Sequence, residues 1–487
     1  MQVHDACRQL FHFTFRIMVE KKTRFAPSPT GYMHIGNART ALFSYLAGNR
    51  FILRIEDTDL QRSQPQFVDA LIEDLQWLGI TWQEGPGFPD GEQYVQSRRS
   101  GIYRDCLQQL VHDDRAYPCF CSTEELARTR ARQLAMGRPP RYAGTCSHLS
   151  REDIEDRIGR GEQPSYRFRV NVDAIVRFDD LVRGEQTFHG RDIGDFVIQR
   201  SDDSAAFFFS NAIDDAMMGV DLVVRGEDHL SNTPRQLMLL SALSLRQPQY
   251  AHIALILGDD GTPLSKRNGS QSIRELRESG FFPLAVINAL ARIGHHYLDD
   301  RLLDWQALVA GFSMTNLSHS PARHDMQHLL HWQHSCMKSM DSQAIFTALP
   351  AIIQHELPVS LREDFIEIVR YNCLFPADAM IWFDVLTRSV PDMQEDARAM
   401  IRQCIPEWFN AVATAMATTT DYKSFIETIK TTGGYQGKSL FMPLRAMLSG
   451  RLDGPELARI FAMLSPGQLS ERLEYCRALS GENHENL

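Results

Sequence analysis

The first third of the chain alternates strand-like and helix-like patterns of apolar residues. Residues 50–57, RFILRIED, alternate apolar and polar side chains with the period of a half-buried strand and end in acids. Residues 66–80, QFVDALIEDLQWLGI, instead repeat apolar side chains at spacings of three and four and stop at Gly79, which is typical of an amphipathic helix. Strand, helix and strand in succession predict a parallel α/β sheet.

A second α/β stretch spans about 166–260 and contains the strand-like runs DFVIQ and VDLVVRGED. Beyond about residue 275 the strand patterns fade, and apolar residues follow helical spacing between Pro and Gly residues. The predicted helical segments include FFPLAVINALARIG, QAIFTALPAIIQH, ELARIFAMLS and LSERLEYCRAL. The carboxyl-terminal half is therefore predicted to be mostly helical.

The composition is that of a globular protein, with 43% hydrophobic and 23% charged residues among 487. A chain of this length typically forms about two to four domains. The sequence has no apolar run of the length, about eighteen residues, that a membrane-spanning helix needs. Nine cysteines in so long a chain do not make a disulfide framework, so we expect a reducing compartment and a cytoplasmic protein.

Residues 1–17, MQVHDACRQLFHFTFRI, are a poor signal-peptide core because His12, Thr14 and Arg16 interrupt the apolar patch. A leader that contains Arg and few acids also fits an organellar targeting segment. We expect instead an extension that is either disordered or not translated, with synthesis starting at Met18.

The net charge of −10 argues against a polyanionic partner, but such a partner needs only a local basic surface. Residues 127–146, ARTRARQLAMGRPPRYAGTC, supply one without any acid. Its basic residues are Arg128, Arg130, Arg132, Arg138 and Arg141. A run of this kind also fits the solvated face of a helix.

Residues 24–40, RFAPSPTGYMHIGNART, lead from a strand-like run into a helix-like one. The segment from Gly31 to Gly36 is predicted to turn at the carboxyl edge of the sheet, where α/β proteins bind ligands and a helix N-terminus favours phosphate. There His34 can donate to phosphate oxygens, Gly36 leaves room for a base or ribose, and Asn37 is a neutral donor. Taken alone, HIGN equally fits a solvated turn.

A second candidate element is the loop GTPLSKRNGS at residues 261–270, with Ser265, Lys266 and Arg267 at its centre. Glycines and the lack of a regular period predict a mobile loop that can bring Lys266 onto a polyphosphate. Alone, the loop equally fits a basic surface turn.

Together, HIGN and LSKRN resemble the two signature sequences of class I aminoacyl-tRNA synthetases. The stretches RFAPSPTGYMHIGNARTALF, LRIEDTD, VVRGEDHLSNTPRQ and LFMPLRAMLSG narrow the resemblance to bacterial-type glutamyl-tRNA synthetases. It implies that ATP with Mg²⁺ activates glutamate, usually once tRNA is bound, and that tRNA(Glu) receives the glutamyl group. It also implies a monomer.

The same resemblance implies an α/β Rossmann-type catalytic domain with an inserted acceptor-stem-binding subdomain, followed by an all-α anticodon-binding region. The expected boundaries are 1–17 for the extension, 18–105 and 206–260 for the two catalytic halves, 106–205 for the insertion, 261–330 for the mobile loop with a stem-contact helical region, and 331–487 for the anticodon-binding region.

Two sets of site residues follow from the resemblance, position by position. Arg24 and Arg225 would contact the carboxylates of glutamate, since a guanidinium fork suits them better than Lys, and Glu56 would take the α-ammonium. The full glutamate set is Arg24, Ala26, Ser28, Glu56, Phe207, Asn211 and Arg225. The ATP set is Gly31, His34, Gly36, Asn37, Ser265, Lys266 and Arg267, of which His34, Asn37 and Lys266 are the expected catalytic residues.

One position departs from the family pattern. The family typically has a DGxPTY turn before VVDD, whose Tyr hydroxyl assists with the substrate side chain, whereas this chain has DDSAAFFFSNAIDD. Counting back from Asp214 puts Phe207 at the Tyr position. Loss of a hydrogen bond to a buried carboxylate would cost about 1 to 3 kcal/mol.

Three cysteines and a histidine form a candidate metal site. The pairs CFC at 119–121 and CSH at 146–148 offer three thiolates and an imidazole, enough for a closed tetrahedral zinc site. Some glutamyl-tRNA synthetases carry a zinc knuckle of this pattern near the tRNA acceptor stem, so the resemblance implies one structural Zn²⁺. The predicted ligands are Cys119, Cys121, Cys146 and His148. The alternative is three free thiols.

Alternatives remain open within and outside this chemistry. The enzyme can also charge tRNA(Gln) with glutamate or be specialised for that tRNA, because the anticodon contacts lie where the resemblance is loosest. A tRNA-modifying paralogue lacks an anticodon domain, and the helical carboxyl-terminal half argues against it. A catalytically inactive tRNA-binding paralogue is favoured only by Phe207 and the altered turn.

Overall fold

The computed structural model describes residues 20–59, 62–258, 261–262, 264 and 271–481, which pack into two units. The first unit takes its described residues from the chain up to Leu276 and from Ile287–His324. The second comprises Arg277–Val286 and the chain from Asp325 onward. The predicted extension at 1–17 and the core of the predicted mobile loop, 265–270, lie outside the described residues.

The strands, in chain order, are β1 (Lys22–Phe25), β2 (Arg50–Leu53), β3 (Ala116–Cys119), β4 (Ser165–Phe168), β5 (Ile175–Asp180), β6 (Gly184–His189), β7 (Phe196–Gln199), β8 (Leu222–Gly226), β9 (Gln249–Ile253), β10 (Ile256–Leu257) and β11 (Ala322–Arg323). The helices before residue 325 are α1 (Ile35–Leu46), α2 (Pro65–Leu78), α3 (Ser100–His112), α4 (Thr123–Ala135), α5 (Arg151–Gly159), α6 (Gly190–Ile193), α7 (Phe207–Met217), α8 (Thr233–Ala242), α9 (Ile273–Glu278), α10 (Pro283–Arg292) and α11 (Trp305–Gly311).

A six-stranded sheet with the order β2-β1-β8-β9-β5-β6 forms the core of the first unit. The strands β2, β1, β8 and β9 are parallel, as the sequence pattern predicts, and β5 joins β9 in parallel. Only β6 returns antiparallel, as a hairpin with β5. Because parallel strands end at the same edge, the residues that follow β1, β2 and β8 are brought together there.

The first two helices form where the sequence predicts them, with one shift. The helix α2 ends at Gly79, whose φ of 80° is the left-handed conformation that glycine adopts most readily. The helix α1 begins at Ile35, inside the segment from Gly31 to Gly36 that was predicted to turn, because the side chain of His34 caps it by accepting from the Gly36 amide.

A separate antiparallel sheet, β3-β4-β7, accounts for the strand-like run DFVIQ, which is therefore not part of the parallel sheet. The two helices next to it along the chain, α4 and α5, each begin with a reciprocal capping box, Ser122 with Glu125 and Ser150 with Asp153. Neither helix has a buried residue, so capping and solvated charge stabilise them more than packing does.

The second unit is helical. Its remaining helices are α12 (Met326–Ser339), α13 (Ser342–Ala348), α14 (Ala351–Glu356), α15 (Arg362–Asn372), α16 (Ala379–Thr387), α17 (Glu395–Arg402), α18 (Pro406–Thr418), α19 (Tyr422–Gly433), α20 (Lys438–Ser449), α21 (Leu457–Met463) and α22 (Pro466–Gly481). The predicted helical segment QAIFTALPAIIQH is divided into α13 and α14 because Pro350, the N-cap of α14, cannot donate a backbone hydrogen bond.

A buried arginine links the helix ends of this unit. The fully buried side chain of Arg472 donates to the carbonyl oxygens of Val385, Arg388, Ser389 and Leu448, at the carboxyl ends of α16 and α20. The last carbonyl oxygens of a helix have no hydrogen-bond partner within it, so a cation at this position supplies the missing donors. Among the described helices of both units, none has the length and apolar composition needed to cross a bilayer.

Candidate active site

A cavity of about 500 Å³ opens at the carboxyl edge of the parallel sheet, beside the ends of β1, β2 and β8. Its lining includes every residue of the predicted glutamate set: Arg24, Ala26, Ser28, Glu56, Phe207, Asn211 and Arg225. From the predicted ATP set it includes His34, Gly36 and Asn37. Gly31 is not among the lining residues. Arg24 and Arg225, which lie 201 positions apart in the sequence, therefore meet in one cavity.

His34 and Gly36 depend on each other at the start of α1. The Nδ1 atom of His34 accepts from the Gly36 amide at 3.1 Å. A Cβ atom at position 36 would lie 2.9 Å from Cε1 of His34, so any side chain there would displace the imidazole. The glycine thus leaves room for the imidazole of His34, in addition to lining the cavity.

The segment of the second motif is only partly described. Ser265, Lys266 and Arg267 lie outside the described residues. Leu264, on one side of them, lines the cavity, and Ser272, on the other side, pairs with His34 in an isolated β-bridge. The chain therefore approaches the cavity on both sides of this segment.

Behind the cavity lies a buried cluster of guanidinium and carboxyl groups centred on Arg54. Its Nη1 atom lies 2.7 Å from Asp215 Oδ1 and its Nη2 atom 3.1 Å from Glu56 Oε1. Burial disfavours the charge of Arg54, but the carboxyl groups of Asp215, Glu56 and Asp214 outweigh it and raise the pKa of the guanidinium. Arg24 completes the cluster, with Nε 3.1 Å from Asp215 Oδ1.

Two carboxylates of this cluster, Asp214 and Asp215, lie on α7. Asp214 also accepts hydrogen bonds from residues outside the cluster. Its carboxylate accepts from Arg99 Nε at 2.7 Å, Tyr103 Oη at 2.7 Å and Gln96 Nε2 at 2.9 Å. The cluster therefore fixes α7 against both β2 and the segment before α3. This in turn fixes the cavity wall that α7 contributes.

Glu56 is the carboxyl group of the predicted glutamate set that lines the cavity. Its side chain accepts from Arg54 at 3.1 Å and from the amide of Asn211 on α7. Burial raises the pKa of Glu56 to about 7, although the nearby charges of Arg54 and Arg24 lower it. Its ionisation is therefore sensitive to any cation that enters the cavity.

Arg225, at the end of β8, lines the cavity and has one nitrogen without a hydrogen-bond partner in the described part of the chain. Its Nη2 atom donates to Thr233 Oγ1 at 2.8 Å and to Gln236 Oε1 at 2.7 Å, and its Nε atom donates to His252 Nε2 at 3.1 Å. The Nη1 atom is buried and has no hydrogen-bond partner among the described residues. Burial lowers the pKa of Arg225 to about 10, so the group stays a cation at neutral pH.

Two further lining residues, Asp228 and His229, were not predicted to be part of the site. Both lie in the 3₁₀ turn Glu227–Asn232 that follows β8. The ring of His229 lies 5.4 Å from that of Phe207, centroid to centroid. Their position just after a strand of the parallel sheet is the sequence signal that could have identified them.

Comparison with known proteins decides the family. The profile described as tRNA synthetases class I (E and Q), catalytic domain, matches residues 20–331, and the anticodon binding domain profile matches residues 378–477. The chain belongs to the class I tRNA synthetases (E and Q). The resemblance drawn from the motifs is thereby confirmed.

Individual relatives agree with this family. Glutamate--tRNA ligase 1 of Methylococcus capsulatus is 52% identical over 456 residues, which are 93% of this chain and 97% of the relative. Glutamate--tRNA ligase 2 of Nitrosococcus oceani is 49% identical over 462 residues, 93% and 98% of the two chains. The crystal structure of a glutamate tRNA ligase from Elizabethkingia meningosepticum in complex with its amino acid superposes with a TM-score of 0.83 at 26% identity and covers 94% and 99% of the two chains.

In this class I synthetase the three predicted cysteine ligands come together. The sulfur atoms of Cys119, Cys121 and Cys146 lie within 4.8 Å of one another, and those of Cys121 and Cys146 are 3.7 Å apart. Tetrahedral zinc with Zn–S bonds of about 2.3 Å separates its sulfurs by about 3.8 Å. The separation of the Cys121 and Cys146 sulfurs fits this geometry. His148 is exposed and is not part of the group.

The atom that accompanies the sulfurs is instead the hydroxyl oxygen of Tyr142. It lies 3.3 Å from Cys119 Sγ and 3.5 Å from Cys121 Sγ, and it accepts from the Cys146 amide at 2.8 Å. Sequence reasoning did not select Tyr142, because a tyrosine between Cys121 and Cys146 gives no ligand spacing by itself. Arg167 also donates to Cys119 Sγ at 3.1 Å.

The arginine-rich run forms a basic cleft beside the cysteines. Three of its residues, Arg128, Arg130 and Arg132, lie on α4, and Arg141 lies in the loop that follows. The cleft has a volume of about 500 Å³, and its lining includes Arg128, Arg130, Arg132, Arg141 and Arg167 together with the single acid Glu125. Its potential suits a phosphate backbone.

Proposed function

We propose that this chain is a glutamate–tRNA ligase, which activates glutamate with ATP and transfers the glutamyl group to tRNA(Glu). The observation that carries the proposal is the single cavity in which all the residues expected for glutamate meet three of those expected for ATP, His34, Gly36 and Asn37. Relatives that bear this name match over nearly their whole length, which supports the proposal for both units. The predicted domain boundaries, monomeric state and cytoplasmic location stay predictions.

The reaction has two displacement steps. In the first, a carboxylate oxygen of glutamate attacks the α-phosphorus of MgATP, and pyrophosphate leaves. In the second, a ribose hydroxyl of the 3′-terminal adenosine of tRNA attacks the mixed anhydride, and AMP leaves. Both steps need positioning and stabilisation of negative charge more than an acid or base. His34 and Asn37 at the start of α1, together with Lys266, would supply the donors to the phosphates.

Glutamate brings two carboxylates and one ammonium group, and the cavity offers complementary charges. The buried Nη1 atom of Arg225 would donate to a substrate carboxylate, a charge-assisted bond in a site of low dielectric constant. Arg24 would add positive potential from the neighbouring strand, and the ionised form of Glu56 would accept from the α-ammonium. Ala26 and Ser28, just beyond β1, would contribute backbone and hydroxyl contacts.

The tRNA would contact the protein at two places. The basic cleft beside the cysteines suits the phosphates of the acceptor stem, and residues 378–477 carry the anticodon binding domain. Discrimination between tRNA(Glu) and tRNA(Gln) would rest on anticodon contacts in that domain.

Charging assays test the proposal directly. Purified protein should attach labelled glutamate, but not glutamine, to tRNA(Glu) in the presence of MgATP. Lys266→Ala should abolish charging while tRNA(Glu) binding persists, which separates an enzyme from an inactive tRNA-binding paralogue. Charging of tRNA(Gln) as well would indicate a non-discriminating enzyme. Absence of charging with either tRNA would contradict the proposal.

The apparent affinity for glutamate should fall as the pH is lowered through the pKa of Glu56. Only the ionised carboxylate attracts the ammonium group, and burial raises its pKa in the free protein to about 7. Below that pH, binding must first ionise Glu56, so the KM for glutamate should rise by up to about tenfold per pH unit. Steady-state charging across this range measures the effect.

Glu56→Gln should raise the KM and flatten this pH profile, whereas Glu20→Gln, a change at an exposed ion pair with Arg50, should leave it unchanged. A wild-type KM that stays constant from about pH 8 to about pH 6 would contradict the role of Glu56.

Phe207→Tyr should lower the KM for glutamate, by about tenfold if the new hydroxyl pairs with a substrate carboxylate. Phe207 lines the cavity, whereas its neighbour Phe208 packs on Phe196 outside it and provides the matched control, Phe208→Tyr. Steady-state charging with each variant measures the difference. A KM that Phe207→Tyr leaves unchanged would mean that position 207 does not meet the substrate side chain.

The three cysteine sulfurs support a second part of the proposal, a structural Zn²⁺ ion that braces the loop carrying the basic cleft. With every ligand supplied by protein, the ion would have no open position for catalysis. The sequence predicts His148 as the fourth ligand, while the distances of the Tyr142 hydroxyl favour that oxygen.

Metal analysis of three variants separates these ligand sets. Purified wild-type protein should contain about one equivalent of zinc, and Cys121→Ser should lose it. If Tyr142 is the fourth ligand, Tyr142→Phe lowers the zinc content under mild chelation and His148→Ala does not. The reverse result would restore the original ligand set, and a zinc-free wild type would contradict the ion altogether.

A further inference from the structure

A fully buried histidine, His252 on β9, stands directly behind Arg225 and outside the cavity lining. Its Nε2 atom accepts from Arg225 Nε at 3.1 Å and lies 3.0 Å from Thr233 Oγ1. Its Nδ1 atom lies 2.6 Å from Oδ2 of Asp180, at the end of β5. The three side chains thus form a line from a carboxylate through an imidazole to the guanidinium group.

Asp180 determines which nitrogen of His252 carries the proton. The Asp180 carboxylate already accepts from the backbone amides of Val182, Arg183 and His252, so it acts as an acceptor. Hydrogen bonds of this kind lower the pKa of Asp180 although burial opposes this. An acceptor 2.6 Å from Nδ1 requires an Nδ1–H donor there.

With the proton on Nδ1, a neutral His252 presents a lone pair at Nε2. Burial lowers the pKa of His252, and the adjacent charge of Arg225 lowers it further, which agrees with a neutral ring. That lone pair is the acceptor that Arg225 Nε needs. A protonated ring would instead place two donors face to face.

We propose that His252, oriented by Asp180, is a positioning residue that fixes the guanidinium plane of Arg225 for binding a substrate carboxylate. His252 holds Nε, while Thr233 and Gln236 hold Nη2. These three hydrogen bonds fix the plane of the guanidinium group and leave only Nη1 for the ligand. The inference rests on the proposed function, since that gives Arg225 its carboxylate.

The same histidine also has a structural contact, which the test must separate from positioning. Its Nδ1 side ties β9 to β5 through Asp180, and its ring stacks on Tyr250 at 6.1 Å between centroids. Asparagine at position 252 can place its amide near the Nδ1 position and keep the bond to Asp180, but it has no atom near Nε2. Glutamine can place its amide oxygen near Nε2 and accept from Arg225.

The experiment compares His252→Asn with His252→Gln in steady-state charging of tRNA(Glu). His252→Asn should raise the KM for glutamate by about tenfold or more, because a bond to a buried cation is lost. The KM for ATP should stay within about twofold of wild type. His252→Gln should recover most of the lost affinity for glutamate.

His295→Asn provides the matched control. His295 is also buried in the first unit, 5% exposed, but it contacts Phe43 and Phe312 rather than the cavity residues. This variant should leave the KM for glutamate unchanged.

Three results would overturn the inference: a glutamate KM that His252→Asn leaves within about twofold of wild type, equal rises in the KM for glutamate and for ATP, or equal effects of Asn and Gln. In each of them the wild-type protein charges tRNA, so the proposed function stands. A wild type that charges no tRNA overturns the proposed function and this inference with it.

A spectroscopic measurement covers the case in which His252→Asn does not fold. In wild-type protein labelled with ¹⁵N-histidine, the His252 resonances, identified by their loss in His252→Gln, should report a neutral ring protonated at Nδ1. An imidazolium ring, or a proton on Nε2, would overturn the inference, because neither can accept from Arg225.

Discussion

A guanidinium group without access to solvent, that of Arg54, is the constraint on which the cavity depends. A buried cation is tolerated only when carboxylates surround it, and removing one member of such a cluster typically costs about 3 to 5 kcal/mol. Here Asp215 and Glu56 contact Arg54 directly, and Asp214 lies 4.0 Å from its Nε atom. Asp214 and Asp215 lie on α7, and Glu56 lies just after β2. The ion pairs with Arg54 therefore also fix the distance between α7 and β2, which contribute two walls of the cavity.

The same cluster determines which cation is available to a ligand. Arg24 already contacts Asp215, so it contributes mainly potential, whereas Arg225 keeps one nitrogen uncommitted. Glu56 likewise accepts a hydrogen bond from Arg54 and also lines the cavity. The cavity wall therefore combines a buried cation at Arg225 with a carboxyl group at Glu56 whose charge depends on pH.

Much of the fold and part of the site could be predicted from sequence, because the decisive signals are local. Alternating patterns identify β2, and the Gly79 stop identifies the end of α2. The motif residues Arg24 and Arg225 lie at the ends of β1 and β8, and Glu56 lies just after β2, at the same edge of the sheet. Contacts between residues far apart in the sequence leave no local pattern of this kind. Neither Asp180 nor His252 belongs to a motif, and their contact exists only because β5 and β9 are neighbours in the sheet. The role of Gly36 was likewise hidden, since it depends on how the imidazole of His34 folds back on the helix.

The most direct test of the account is a crystal structure with a non-hydrolysable glutamyl-adenylate analogue, in which a sulfamoyl group replaces the phosphate. The account predicts one analogue in the cavity, with the side-chain carboxylate at Nη1 of Arg225, the ammonium at Glu56 and the adenosine against His34 and Asn37. An analogue bound outside this cavity would contradict the assignment of the cavity as the site where glutamate and ATP react, and an analogue bound in it with Arg225 Nη1 still unpaired would contradict the role of Arg225.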